Sequence, residues 1–261
     1  MSLSARIGGI GVAGPGLAGW EAARTALRDP AAWVRSPTVV PSPDALPPVE
    51  RRRCGTNVKL ALGAGFEAAR RSGLPPEAFA TVFASSSGDG DNCHAICETL
   101  ASEDRLISPT RFHNSVHNAP SGYWSIASRS TRPSDSIGAF DASFAAGLLE
   151  ALARIDGGEA PVMLIAYDSP YPEPLQAARP MQDGFAVALA LLSPDAPGPL
   201  LHAAIASEAA TAMAHGTLEA LRLGVPAARS LPLLALLAHG GPGVAALEYL
   251  PGLALRIEVG A

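Results

Sequence analysis

The chain has 261 residues, 48% of them hydrophobic and 16% charged, with a net charge of −5. That length can bury a sizeable core, and that composition excludes a disordered chain. The acidic balance, with no basic run longer than Arg51-Arg52-Arg53, excludes nucleic acid as an expected partner, and no apolar run is long enough for a membrane span.

In chain order, Arg6–Val12 reads as a first strand and Ala13–Gly19 as a turn. Trp20–Arg28 is a short helix ended by Asp29-Pro30, and the five prolines between Pro37 and Pro48 mark a surface excursion. Thr56 or Asn57 starts a helix with Val58, Ala61, Leu62, Gly65, Phe66 and Ala69 on one stripe, stopped by Gly73 and Pro75-Pro76. Thr81–Ala84 is a short buried strand, Ser85–Asp91 a polar loop, and Cys93, Ile96, Cys97 and Leu100 repeat as a helix with both cysteines on its apolar stripe. Ser108–Asn118 is irregular and Ser121–Ser130 helical. Ser136–Ala139 is a strand that leads into a long helix from Asp141 to about Ile155. Pro161–Ala166 and Phe185–Leu192 are apolar strands around the loop Tyr167–Pro180, followed by a helix around Glu208–Leu223 and a last strand, Leu253–Val259. Strands apolar on both faces, alternating with helices, predict an α/β fold with a mixed, mostly parallel sheet covered on two sides.

The densest signal is the strand, tight turn and small-residue helix of residues 132–150. A nucleophile in such an elbow profits from the unpaired N–H groups and positive dipole end of the helix. Here the ionisable residue is Asp141, and the expectation is a structural cap that satisfies N–H groups at the start of a buried helix.

Other motifs carry less. Gly9-Ile10-Gly11-Val12-Ala13-Gly14 has the letters of a dinucleotide fingerprint, but Pro15-Gly16 stands where the phosphate-binding helix should begin. A Gly-rich strand and turn is the reading. His113-Asn114-Ser115-Val116-His117-Asn118 spaces two imidazoles four apart without further ligands, so no metal and no cofactor are expected. Ser85–Gly90 lacks the Lys-Ser/Thr of a P-loop and reads as a strand-to-helix turn. His215-Gly216-Thr217 falls in an apolar-periodic helix, with His215 half-exposed, and no Gly-x-Ser-x-Gly elbow accompanies it. Three cysteines form no closed disulfide framework, and the apolar run after Arg6 is too rich in glycine for an export signal, so a cytoplasmic protein is expected.

Taken in order, five segments resemble the N-terminal half of the β-ketoacyl-ACP synthases, on the thiolase fold. They are the Gly-rich opening Ile7–Gly14, the helix of Arg51–Gly73, the strand and loop Phe83–Gly90, the stretch from Ile107-Ser108-Pro109 to Asn118-Ala119-Pro120-Ser121-Gly122, and the elbow Ile137–Glu150. The resemblance implies a single ketosynthase-like domain over residues 1–261, with 1–195 matching the N-terminal half and 196–261 an abbreviated remainder. It places Asp141 at the position of the family's nucleophilic cysteine, and His215-Gly216-Thr217 is followed by Leu218-Glu219 instead of the family's Gly-Thr.

Condensation needs a thiolate to carry the acyl chain and donors for the developing oxyanion. The resemblance is closest to the shortened, chain-length-factor-like subunits of aryl polyene and related pigment pathways. It implies a non-catalytic partner of a catalytic ketosynthase, meeting the acyl carrier protein through the complex. Interface or tunnel candidates are Phe112, His113, Asn114, His117, Asn118, Tyr123, Trp124, Phe140 and Phe144. The competing readings are an acyltransferase or hydrolase using Asp141, Ser143 or a His–Ser pair, and a homodimeric structural module outside acyl chemistry.

Overall fold

The computed structural model describes residues 3–260. Their strands are β1 (Leu3–Gly14), β2 (Leu17–Ala18), β3 (Ala80–Ala84), β4 (Ser134–Ile137), β5 (Val162–Asp168), β6 (Phe185–Leu192), β7 (Leu200–Ala206), β8 (Gly243–Leu250) and β9 (Leu253–Gly260). They form one sheet of order β4-β3-β5-β6-β1-β7-β9-β8, with β2 folded back on β1. The helices are α1 (Trp20–Arg28), α2 (Pro48–Arg53), α3 (Thr56–Ser72), α4 (Gly90–Ala101), α5 (Pro109–Asn114), α6 (Ala119–Ser128), α7 (Ser143–Asp156), α8 (Leu175–Ala178), α9 (Gly216–Gly224) and α10 (Leu231–His239).

Strand β5 shows how the layers arise. Its residues are all buried, but they alternate between two cores: Val162, Leu164 and Ala166 join α7 and α10 on one face, while Met163, Ile165 and Tyr167 join α3 and α6 on the other. A strand covered on both faces carries no polar alternation, so it reads as a continuous apolar run. That run length does not report strand direction. Parallel pairing is confined to β4-β3-β5, while β5-β6, β6-β1, β1-β7, β7-β9 and β9-β8 are all antiparallel. The mixed, doubly covered sheet is as expected; its predominantly parallel character is not.

The Gly-rich start of β1 has a packing reason. A Cβ at Gly11 would lie 2.0 Å from the Ala64 carbonyl oxygen and one at Gly9 2.2 Å from that of Ala68, both on α3. The fingerprint spacing therefore lets a central strand lie directly on a helix backbone, which is why only the bare Cα fits. Helix α3 ends at Gly73, whose φ of +74° closes it in the left-handed conformation.

Several expected elements shift. Residues 208–215 are irregular, and α9 begins only at Gly216, so His215 precedes the helix instead of riding on it. The run Leu231–Ala238 forms most of α10, buried at Leu231–Leu234 and Ala238 and half-buried at Ala235, Leu236 and Leu237. Strands β7 and β8 lie in alanine-rich stretches whose pattern did not mark them. Residues 109–114, expected to be irregular, form α5. Cys93 and Cys97 are exposed on α4, contrary to the apolar-stripe reading, while Cys54 is the buried cysteine. No helix among the described residues is long and apolar enough to cross a membrane.

Candidate functional site at the strand-to-helix elbow

Edge strand β4 runs into Gly138-Ala139, a single 3-10 turn over Phe140–Ala142, and then α7. The turn is held by Ser143, which is 1% exposed: its hydroxyl donates to the Phe140 carbonyl (2.7 Å) and accepts from the Ala139 N–H (3.0 Å). Ser143 thus pins the turn ahead of the helix, no side chain among the described residues caps the α7 N-terminus, and the Ser143 hydroxyl proton is already donated.

The Asp141 carboxylate turns to two guanidiniums. Arg179, from the loop after β5, donates to Oδ1, and Arg229, from the 3-10 turn Pro226–Ser230, donates to Oδ2 at 3.0 Å. The expectation that Asp141 caps the buried helix is therefore wrong. The helix does not start until Ser143, and a carboxylate within reach of two cations gains more from charge-assisted bonds than from backbone N–H groups.

From this pair a polar chain extends both ways. Arg179 also donates to Ser86 Oγ and Tyr171 OH, each at 2.9 Å, and lies 3.9 Å from the centroid of the Phe140 ring. Arg229 pairs with Glu248 of β8, which Arg222 approaches at 3.5 Å, and Arg222 pairs with Glu219 at 2.7 Å. Elements far apart in sequence thus meet at the elbow through paired charges. The arrangement is partly screened from water, Arg229 being mostly buried, and burial pulls its pKa below the ordinary guanidinium value despite Asp141.

Behind the elbow sits Asp168, 1% exposed at the end of β5. It accepts from the Ser86 N–H (2.8 Å) and Ser85 hydroxyl (3.2 Å) on one oxygen, and from the Ala227 N–H (2.9 Å) on the other. Burial pushes its pKa up to about 7 even with these donors opposing the shift. The Ser85 loop is a strand-to-helix turn as read: Asp89 Oδ1 accepts from the Asn92 N–H (3.0 Å) and caps α4.

The sequence-selected residues divide. His117 stands at the elbow, its Nε2 3.1 Å from the Ser85 carbonyl and its ring beside Gly88 and Gly138. His113 and Asn118 are exposed, and Asn114 is buried, bonding the Arg53 carbonyl and the Tyr123 hydroxyl. Tyr123, Trp124 and Phe144 lie inside the protein, at 2%, 1% and 1% exposure, so none of them is a surface anchor. They are large side chains of inward helix faces, with Trp124 stacked on Phe66 at 4.8 Å. Phe112 (68%) and Phe140 (64%) face solvent.

His113 lies on α5 and His117 in the break before α6, and among the described residues no group of three or more His, Cys, Asp and Glu is placed to hold a metal ion. The His215 ring packs edge-on against Trp33, 6.4 Å between centroids, with no histidine among the described residues bonded to Asp141 or Ser143. Sequence reading missed Arg179, Arg229, Glu248 and Asp168. Asp168 alone left a trace, a charge ending a wholly apolar run.

Over the elbow lies an open cleft of about 590 Å³, walled by Phe140, Ala142, Ala209 and the Tyr249–Ala254 turn. Its charged groups are already paired, Asp141 and Glu248 with Arg229, and Glu208 with Arg256. Such a cleft can exclude water from an apolar surface, but it offers no unengaged nucleophile.

A search of curated proteins finds no match. Among solved structures, the chain superposes on one from the complex of a ketosynthase with its chain length factor from Xenorhabdus doucetiae (TM-score 0.76, 24% identity, covering 98% of this chain and 99% of that one). It also superposes on the ishigamide ketosynthase/chain length factor (0.71, 14%, 98% and 99%). A third match is the type II PKS acyl-carrier protein in complex with its ketosynthase (0.73, 11%, 100% and 100%). Residues 20–238 match the family pattern described as beta-ketoacyl synthase, N-terminal domain, so the chain belongs to that family and carries its thiolase-like fold.

Proposed function

We propose that this chain is a non-catalytic, chain-length-factor-like subunit that pairs with a catalytic ketosynthase during elongation of a polyene or fatty-acid-like chain. The observation that carries the reading is Asp141 at the elbow, neutralised by Arg179 and Arg229. Acyl transfer through this position needs a thiolate, and a carboxylate held by two cations is a poor nucleophile. The alternative nucleophile Ser143 is buried with its hydroxyl bonded, and Cys54, Cys93 and Cys97 do not line the cleft.

The partner reading draws on the solved relatives, which are described as complexes of ketosynthase with chain length factor or carrier protein. It draws also on the sheet edge. Strand β4 pairs with β3 on one side only, and an open edge that leads directly into the exposed Phe140 asks for a covering partner. In this reading residues 1–195 correspond to the N-terminal half of a ketosynthase and 196–261 to an abbreviated remainder. The carrier protein engages the complex as a whole, and the exposed thiols of Cys93 and Cys97 suit a reducing cytoplasm.

The test is reconstitution. The purified chain, given malonyl and acyl carrier protein, should yield no ketoacyl product, and adding a catalytic ketosynthase from the same gene cluster should yield a stable heterodimer that does. Turnover by the chain alone, or a chain that stays monomeric beside that ketosynthase, overturns the proposal.

A further inference from the structure

Phe140 combines a strained backbone with an exposed aromatic ring. Its φ is +52°, a left-handed conformation that bulky side chains rarely adopt, and its ring is 64% exposed. The conformation is nonetheless firmly held. The Ser143 hydroxyl grips the backbone on both sides, donating to the Phe140 carbonyl at 2.7 Å and accepting from the Ala139 N–H at 3.0 Å.

The ring is held as well. The Arg179 guanidinium lies 3.9 Å from its centroid, and Arg179 is itself tied to Asp141, Ser86 and Tyr171. A strained, exposed aromatic braced from behind is pre-organised, and a binding partner gains from not having to order it.

We propose that Phe140 is an aromatic anchor that the elbow presents to an apolar recess on the catalytic ketosynthase, with Arg179 and Asp141 as its positioning residues. This rests on the partner reading above. The place in the fold argues for that occupant. Phe140 follows open edge strand β4 after two intervening residues, so a partner covering that edge meets the ring directly.

The charges argue for it too. Docking dries the elbow, and a bare Asp141 carboxylate would then be stranded without water. Arg179 and Arg229 hold one oxygen each, so the surface around the anchor is already electrically matched before contact. Asp141 in this view replaces a reactive group with the foot of a brace.

The experiment measures affinity of the full chain for its ketosynthase by calorimetry, alongside thermal melting of the isolated chain. Phe140→Gly and Phe140→Asn both accept a positive φ, so each should melt no lower than the parent while binding about 10- to 100-fold more weakly. Phe140→Trp should bind within a few-fold of the parent. Asp141→Ala, which frees Arg179, should also weaken binding, whereas a purely structural Asp141 would change melting and leave affinity alone. Undiminished binding by Phe140→Gly and Phe140→Asn overturns the anchor, and so does a loss confined to self-association of this chain. A parent chain that binds no ketosynthase fails at the partner reading, before the anchor is tested.

Discussion

At the residue scale, Asp168 is the group whose protonation the fold changes most visibly. Its carboxyl is buried, and three donors do not fully offset the desolvation, so its pKa stands at about 7 against an ordinary 3.8. The folded state therefore holds this proton more tightly than the unfolded chain does. Between pH 3.8 and 7 folding takes up protons at this site, so stability falls as pH rises through that window. The fall amounts to up to ~4 kcal/mol, at about 1.36 kcal/mol per unit. Below the window both states are protonated, and above it the full cost of the buried charge is present.

Denaturant titrations of the wild type and Asp168→Asn at several pH values isolate this group from the other carboxylates. The variant should be less stable overall, because an amide cannot accept on both sides from the Ser86 and Ala227 N–H groups. The gap between the two proteins should narrow steadily from about pH 4 to about pH 7. A constant gap would mean that Asp168 is ionised throughout.

At the scale of elements, the contact between β1 and α3 sets what the glycines tolerate. Gly11→Ala would drive a methyl to 2.0 Å from the Ala64 carbonyl oxygen, and backbone cannot swing aside as a side chain can. The helix must retreat from the sheet, with an expected loss of ~1–3 kcal/mol, the usual range for overpacking. Gly122 on α6 is the control, since nothing lies within 4 Å of a Cβ there. Gly122→Ala should stabilise the isolated chain by ~0.5–1 kcal/mol through helix propensity. Equal losses in the two variants would show that β1 does not rest on the helix backbone. The same packing accounts for Gly9 and Gly11 of the dinucleotide-like motif, and the Phe185 ring, 2.6 Å from a Cβ at Gly14, accounts for the third glycine, without any nucleotide.

At the scale of the molecule, the elbow gathers residues from the whole chain. Ser86, Asp141, Arg179, Arg229 and Glu248 converge through paired charges, so a single substitution at position 141 cannot rebuild a ketosynthase. Asp141→Cys should give no condensation product, either alone or within the complex. No histidine among the described residues bonds to this position, and Arg229, mostly buried, loses its carboxylate partner there. The variant should melt below the wild type for that reason. Mass analysis of carrier-bound products checks the first expectation. An Asp141→Cys variant that is acylated on the new thiol and goes on to form a ketoacyl product would expose supporting groups the fold does not show.

The sequence by itself determined the elements with strong local causes. Helix α1 lies between Trp20 and Arg28 as read, because Asp29-Pro30 stops it, and β6 runs Phe185–Leu192 as read, because its apolar run is bounded by polar turns. The elbow, the family resemblance and the lack of a thiol at position 141 were legible for the same reason, since each depends on neighbouring residues. Strand direction was not legible, because a strand buried on both faces shows the same apolar run in either orientation. Nor was the fate of Tyr123 and Trp124, since an aromatic cluster reads alike whether it faces a partner or its own core. The partners of Asp141 lie 38 and 88 residues away, and a charge pair at that separation leaves no local pattern. Only the tertiary structure could decide them, because an ion pair depends on distance in space, which folding alone sets.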